Sequence, residues 1–172
     1  MDILELIIKI ATPLVIAYFG FLINKNLAEQ RSKLTISEKL IEKRISIYDD
    51  ISSELNVIYQ YMVRVGNWKE MSPEEVIAKK RTLDKLVHQN RPYWSIDFID
   101  TYSNFIFECF KTNTGTGEDA KIKADTVKYS TLDSWEPEYE AMFIGEKTDK
   151  SKVRDLYNAF NEAVSRDINP QG

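Results

Sequence analysis

Residues 25–65 read KNLAEQRSKLTISEKLIEKRISIYDDISSELNVIYQYMVRV, without a glycine or a proline. Apolar side chains recur seven apart at Leu27, Leu34, Ile41, Tyr48, Leu55 and Met62. Ile51, Ile58 and Val65 form a second row, with Ile45 beside it. This spacing predicts one long helix with a stripe of heptad character. The second row fades before Ile45, which favours packing on the chain's own domain over a self-associating coiled coil. Gly66-Asn67 is the expected stop.

Upstream, residues 10–23 read IATPLVIAYFGFLI and carry no charge. Extended back to Ile3, a helix here would span about 30 Å at ~1.5 Å per residue, the thickness of a bilayer core. Glu5 and Lys9 lie four apart and can pair. Pro13 is tolerated in a membrane helix, and Gly20 would admit a close neighbour. A buried core helix is the competing reading. A cleaved signal fits poorly, because the chain starts Met1-Asp2 with Glu5 close by, and no small-residue cleavage site follows Ile23. Lys25, Arg31, Lys33, Lys39, Lys43 and Arg44 all follow the apolar stretch. The positive-inside tendency then predicts a single-pass inner-membrane protein with its N-terminus out and its C-terminal body in the cytoplasm.

The rest reads as helices separated by clear punctuation. Ser72-Pro73-Glu74-Glu75 combines a capping serine, a proline at the first helical position and a glutamate that closes a capping box. Val76, Leu83, Leu86 and Val87 give that helix its buried face, and Arg91-Pro92 stops it. Ser95 caps the next helix, whose wide apolar face is Phe98, Ile99, Tyr102, Phe105, Ile106, Cys109 and Phe110. Residues 112–118, TNTGTGE, form a loop that lacks the lysine of a phosphate-binding loop. Trp135-Glu136-Pro137 marks a turn, and residues 121–132 fit either a short helix or an extended piece. A last helix starts near Thr148 or Asp149, with Val153, Leu156, Tyr157, Phe160 and Val164 inward, and residues 169–172 are a frayed end. The expected fold class is all-α: an N-terminal transmembrane helix (residues 1–24) continuing into a juxtamembrane helix (residues 25–66) and a cytoplasmic helical bundle (residues 67–172).

Composition narrows the function. A net charge of -4 over 172 residues argues against general nucleic-acid binding. The single cysteine, Cys109, excludes an intramolecular disulfide and sits among aromatics, as a buried thiol would. The single histidine, His88, makes a zinc site improbable. Pairs such as Asp49-Asp50 read as solvated or helix-start acids. No nucleophile elbow, HExxH, CxxC or Walker lysine is present. The expectation is a non-enzymatic protein without a metal or other cofactor.

The distinctive surface feature is a basic-aromatic strip: Lys80, Arg81, Lys85, His88, Arg91, Tyr93 and Trp94. Arg81, Lys85 and His88 share one side of a helix. Arginine forks grip phosphate or carboxylate, and aromatic rings stack bases. The strip therefore suits an anionic or nucleotide-like small ligand, and near a membrane it would also suit lipid headgroups. A solvated basic face above two core aromatics is the alternative.

The span at residues 10–23, with Lys79-Lys80-Arg81-Thr82-Leu83-Asp84 and Asn90-Arg91-Pro92-Tyr93-Trp94-Ser95, resembles small bacterial membrane proteins found with anti-phage defence systems. The resemblance implies a cytoplasmic sensing domain coupled to a membrane-perturbing helix. One helix cannot enclose a channel, so such an effector would act as a homo-oligomer. The alternative is a membrane-tethered adaptor that recruits a partner protein.

Overall fold

The uninterrupted stretch folds as α1, Ile3–Val63. A computed structural model describes the backbone of residues 3–112, 115 and 117–169, with side chains from residue 16 onward. The chain falls into two compact units, Met1–Leu40 and Ile41–Gly172, and α1 contributes to both.

In Met1–Leu40 the helical assignment runs through Pro13 without a break. Ile16, Tyr18, Phe19, Phe21 and Ile23 are each more than half exposed, and Leu27 and Leu34 are open as well. Among the described residues no helix is long and apolar enough to cross a membrane. That finding overturns the expected single-pass placement in the inner membrane, N-terminus out. The apolar run with described side chains covers residues 16–23, about 12 Å of helix, and Lys25, Glu29, Arg31 and Lys33 follow it within ten residues. The expected Glu5–Lys9 pair lies outside the described residues, as does the end expected to fray at residues 170–172.

In Ile41–Gly172 the second half of α1 lines the core. Ile47, Ile51, Leu55, Ile58 and Met62 are buried at three- and four-residue spacing, the signature of a single helical face. α1 stops before the expected Gly66-Asn67. Arg64 takes a left-handed conformation (φ 61°). The Val65 amide donates to the Gln60 carbonyl at 3.0 Å and the Arg64 amide to the Tyr61 carbonyl at 3.3 Å, a Schellman closure with arginine in the usual glycine place. Side chains finish the cap: the Tyr129 hydroxyl donates to the Tyr61 carbonyl (3.0 Å) and Lys150 Nζ to the Val63 carbonyl (2.6 Å). Distant residues thus supply part of a stop that local sequence places at a glycine.

Three shorter helices pack on this face. α2, Pro73–Gln89, starts with the expected capping box: Ser72 Oγ accepts from the Glu75 amide, and Glu75 Oε2 accepts from the Ser72 amide at 2.8 Å. α3, Ile96–Cys109, starts at Ser95, whose Oγ accepts from the Phe98 amide. α4, Lys150–Ile168, starts at Asp149, whose Oδ1 accepts from the Ser151 and Lys152 amides. α3 and α4 meet through Phe98 and Phe160, with ring centroids 4.9 Å apart. Arg44 of α1 donates from Nε to the Tyr93 carbonyl (2.6 Å) and from Nη1 to the Asp167 carbonyl in the last turn of α4.

The chain is mainly helical, with one small exception. β1, Phe110–Lys111, pairs antiparallel with β2, Lys121–Ile122, so that Phe110 faces Ile122. Both of those residues are buried. Residues 121–132 therefore begin as an extended piece. Trp135 leads into a 3-10 turn, Pro137–Met142, and Phe143 then bridges to Ile122.

The core contains three phenols, Tyr61, Tyr102 and Tyr129, each almost fully buried. Burial is the first cause that raises each of their pKa values. The folded chain therefore holds these protons at a pH where the unfolded chain releases them. By linkage, stability is full below the unfolded value of about 10 and falls as pH rises above it, by about 1.4 kcal/mol per pH unit for each phenol. Urea unfolding followed by circular dichroism should show a steep loss of stability above about pH 10. Tyrosinate absorbance from these three should appear together with unfolding and not before it.

Candidate functional site

The structure divides the basic-aromatic strip. The Lys80 side chain is only 11% exposed, and its Nζ lies 2.7 Å from Asp84 Oδ2. Asp84 Oδ1 accepts the buried Tyr102 hydroxyl, so Lys80, Asp84 and Tyr102 form a link between α2 and α3. Burial, and then the hydrogen bond to Asp84, push the Tyr102 phenol well above its ordinary range. Arg81 points elsewhere. Its Nε donates to Asp119 Oδ1 at 2.9 Å, and its Nη2 pairs with Asp119 Oδ2.

Lys85, His88 and Arg91 stay exposed. Tyr93 is partly exposed in the 3-10 turn Arg91–Tyr93, with Lys43 Nζ 5.9 Å from its ring centroid. Trp94 is 7% exposed and stacks on Phe98, centroids 4.1 Å apart and nearly parallel. Its ring face is thereby occupied within the core. The strip thus contributes exposed cations and one open phenol at the α2 exit, while Lys80, Arg81 and Trp94 engage three different neighbourhoods.

Arg81 leads to a cavity of about 560 Å³ that the sequence reading does not anticipate. One wall is a single stripe of α2: Glu74, Ile77, Ala78 and Arg81, spaced as i, i+3, i+4 and i+7. The facing wall is Glu118, Asp119, Ala120 and Lys121, the approach to β2 and its first residue. Ala141 and Met142 close the end from the 3-10 turn. Ile77 and Ala120 are buried and form an apolar floor, whereas Glu74, Ala78, Arg81, Glu118, Asp119 and Ala141 are exposed at the rim. The volume falls in the range typical of ligand sites. The α2 spacing was the only local signal; the opposite wall lies 38 residues from Arg81 in sequence.

Electrostatically the cavity is mixed with an acidic bias. Arg81 is matched by Asp119, and among the described residues neither Glu74 nor Glu118 has an ion-pair partner. Lys121 is the remaining cation of the lining. Within the 3-10 turn, the Tyr139 hydroxyl titrates above its ordinary value, first through desolvation and then through the carboxylates of Glu136, Glu74, Glu75 and Glu138. Of these four carboxylates, Glu74 lines the cavity and Glu75, Glu136 and Glu138 do not. Among the described residues no group of three or more His, Cys, Asp or Glu side chains is arranged to hold a metal. Burial raises the Cys109 thiol pKa, so this sulfur stays protonated in the core.

Comparison with family models, with characterised proteins and with solved structures finds no match to this chain.

Two of the ion pairs of α2, Lys80–Asp84 and Arg81–Asp119, should respond differently to truncation. Asp84→Ala leaves the buried Tyr102 hydroxyl and the largely buried Lys80 without their acceptor, and should cost about 1–3 kcal/mol. Arg81→Ala removes a surface pair and should cost less than about 1 kcal/mol. Chemical denaturation of both variants against the parent checks the order.

Proposed function

We propose that this chain is a non-enzymatic recruitment module, and that its helical body, Ile41–Gly172, holds part of a partner protein in the cavity between α2, β2 and the Pro137–Met142 turn. The cavity itself carries this reading: an apolar floor at Ile77 and Ala120 surrounded by exposed polar side chains. A small-molecule site generally encloses most of its ligand. Here most of the lining is exposed, which suits an occupant that inserts one group and continues across the surface.

Supporting chemistry comes from the framework of the walls. α2 is fixed at its start by the capping box and on its inner face by Val76, Leu83 and Val87. The opposing wall is tied to the core through Ile122, paired with Phe110 and bridged to Phe143. A preformed cleft with anchored walls binds without a large ordering cost. The basic side chains that remain exposed, Lys85, His88 and Arg91, lie further along α2 and beyond its end. They give an anionic group of a partner a second point of contact.

Filling the cavity should test this directly. Ala78 is exposed on the α2 wall, so Ala78→Trp places an indole in the opening without replacing a core residue. Affinity capture with the parent chain should recover a stoichiometric partner protein. Ala78→Trp should lose that partner, and Asn158→Ala on the exposed face of α4 should keep it. Recovery of the chain alone, or equal capture by Ala78→Trp, would contradict the reading.

A further inference from the structure

The cavity has a chemical preference that goes beyond its role as a recruitment site. We infer that its occupant is a peptide segment presenting one aliphatic side chain flanked by lysine or arginine. This rests on the recruitment reading and names the kind of segment recruited.

Three features of the lining select that segment. The floor at Ile77 and Ala120, with Met142 beside it, offers apolar surface and a flexible thioether that adapts to an inserted aliphatic group. Among the described residues it contains no buried polar side chain to pair with a polar tip, so a buried polar anchor would lose its hydrogen bonds. The rim carries Glu74 on the α2 wall and Glu118 on the facing wall, and neither is matched by a cation among the described residues. A cation on each side of the anchor would therefore meet a carboxylate on each side of the opening.

The other charges fit the same orientation. Arg81 is held by two contacts with Asp119, which leaves it a poor lure for an incoming carboxylate. Lys121 is half-buried against the facing wall and opposes a single negative charge at most. Glu136 and Glu138, at and just after the start of the adjoining turn, are exposed and add negative charge on that element. An acidic segment would meet repulsion at both walls and along that turn. A basic one is steered in, with an attraction that salt weakens.

Fluorescence anisotropy with the full chain and two labelled peptides tests the assignment. Each peptide has a central leucine; one has lysine on both sides and the other glutamate. The lysine-flanked peptide should bind saturably and the glutamate-flanked one at least about tenfold more weakly. Glu74→Lys with Glu118→Lys should reduce or invert that preference, and Ala78→Trp should abolish binding of both. Both altered sites are exposed, and circular dichroism confirms that the variants fold. Equal affinity for the two peptides, no saturable binding of the lysine-flanked one, or a preference untouched by the charge reversals would overturn the inference. If Ala78→Trp still releases the captured partner while the charge reversals change nothing, the recruitment reading stands and the basic-segment inference fails. If Ala78→Trp releases nothing, the recruitment reading itself fails.

Discussion

Burial of one face of α1 is the constraint on which the second unit depends. Ile51, Leu55, Ile58 and Met62 lose almost all contact with water. Burying each such side chain contributes about 1.5–3 kcal/mol relative to exposure. Among the described residues no other element presents so long a buried apolar face, and α2, α3 and α4 share its core. Polar contacts then fix the arrangement. Arg44 ties α1 to the Tyr93 carbonyl and to the end of α4. Tyr48 donates to Asn161 at 3.0 Å, and Tyr59 stacks on Tyr157 at 4.1 Å. At the far end, Lys150 takes up the Val63 carbonyl, and Tyr129 adds a second donor to the Tyr61 carbonyl that the Arg64 amide also reaches.

The cavity follows from how α2 is shared. Val76, Leu83 and Val87 face the core, while Glu74, Ala78 and Arg81 face outward. Ile77 belongs to both settings, being buried and yet part of the cavity floor. The chain returning through Asp119 to Ile122 is held below by the β1–β2 pairing and sideways by the Arg81–Asp119 contact. The short alanine side chains at 78, 120 and 141 leave room between these supports. Small residues facing one another across anchored walls make an opening that core packing does not close.

Elements with local signals were legible in the sequence. Ser72 and Ser95 mark helix starts because their hydroxyls meet amides three residues ahead, and the α3 face follows from its spacing. The end of α1 was less legible, since Arg64 adopts the left-handed turn and distant residues help to cap the helix. The seven-residue row also has two environments that spacing does not distinguish: Leu55 and Met62 are core, whereas Leu27 and Leu34 are open. The basic strip was read from proximity along α2. Trp94 instead turns into the core, and Arg81 finds a carboxylate far along the chain. The cavity depends on three segments meeting, and only the α2 wall had a periodicity to announce it.

We propose the α2–β2 cleft as the place where this chain meets its partner. Methyl NMR of the full chain, with isoleucine, alanine and methionine methyls labelled and the lysine-flanked peptide added, tests that claim most directly. Saturable shifts confined to Ile77, Ala78, Ala120, Ala141 and Met142 are expected, with Ala159 and Ala163 of α4 unmoved. Shifts centred on α4, or a spectrum that the saturating peptide leaves unchanged, would contradict it.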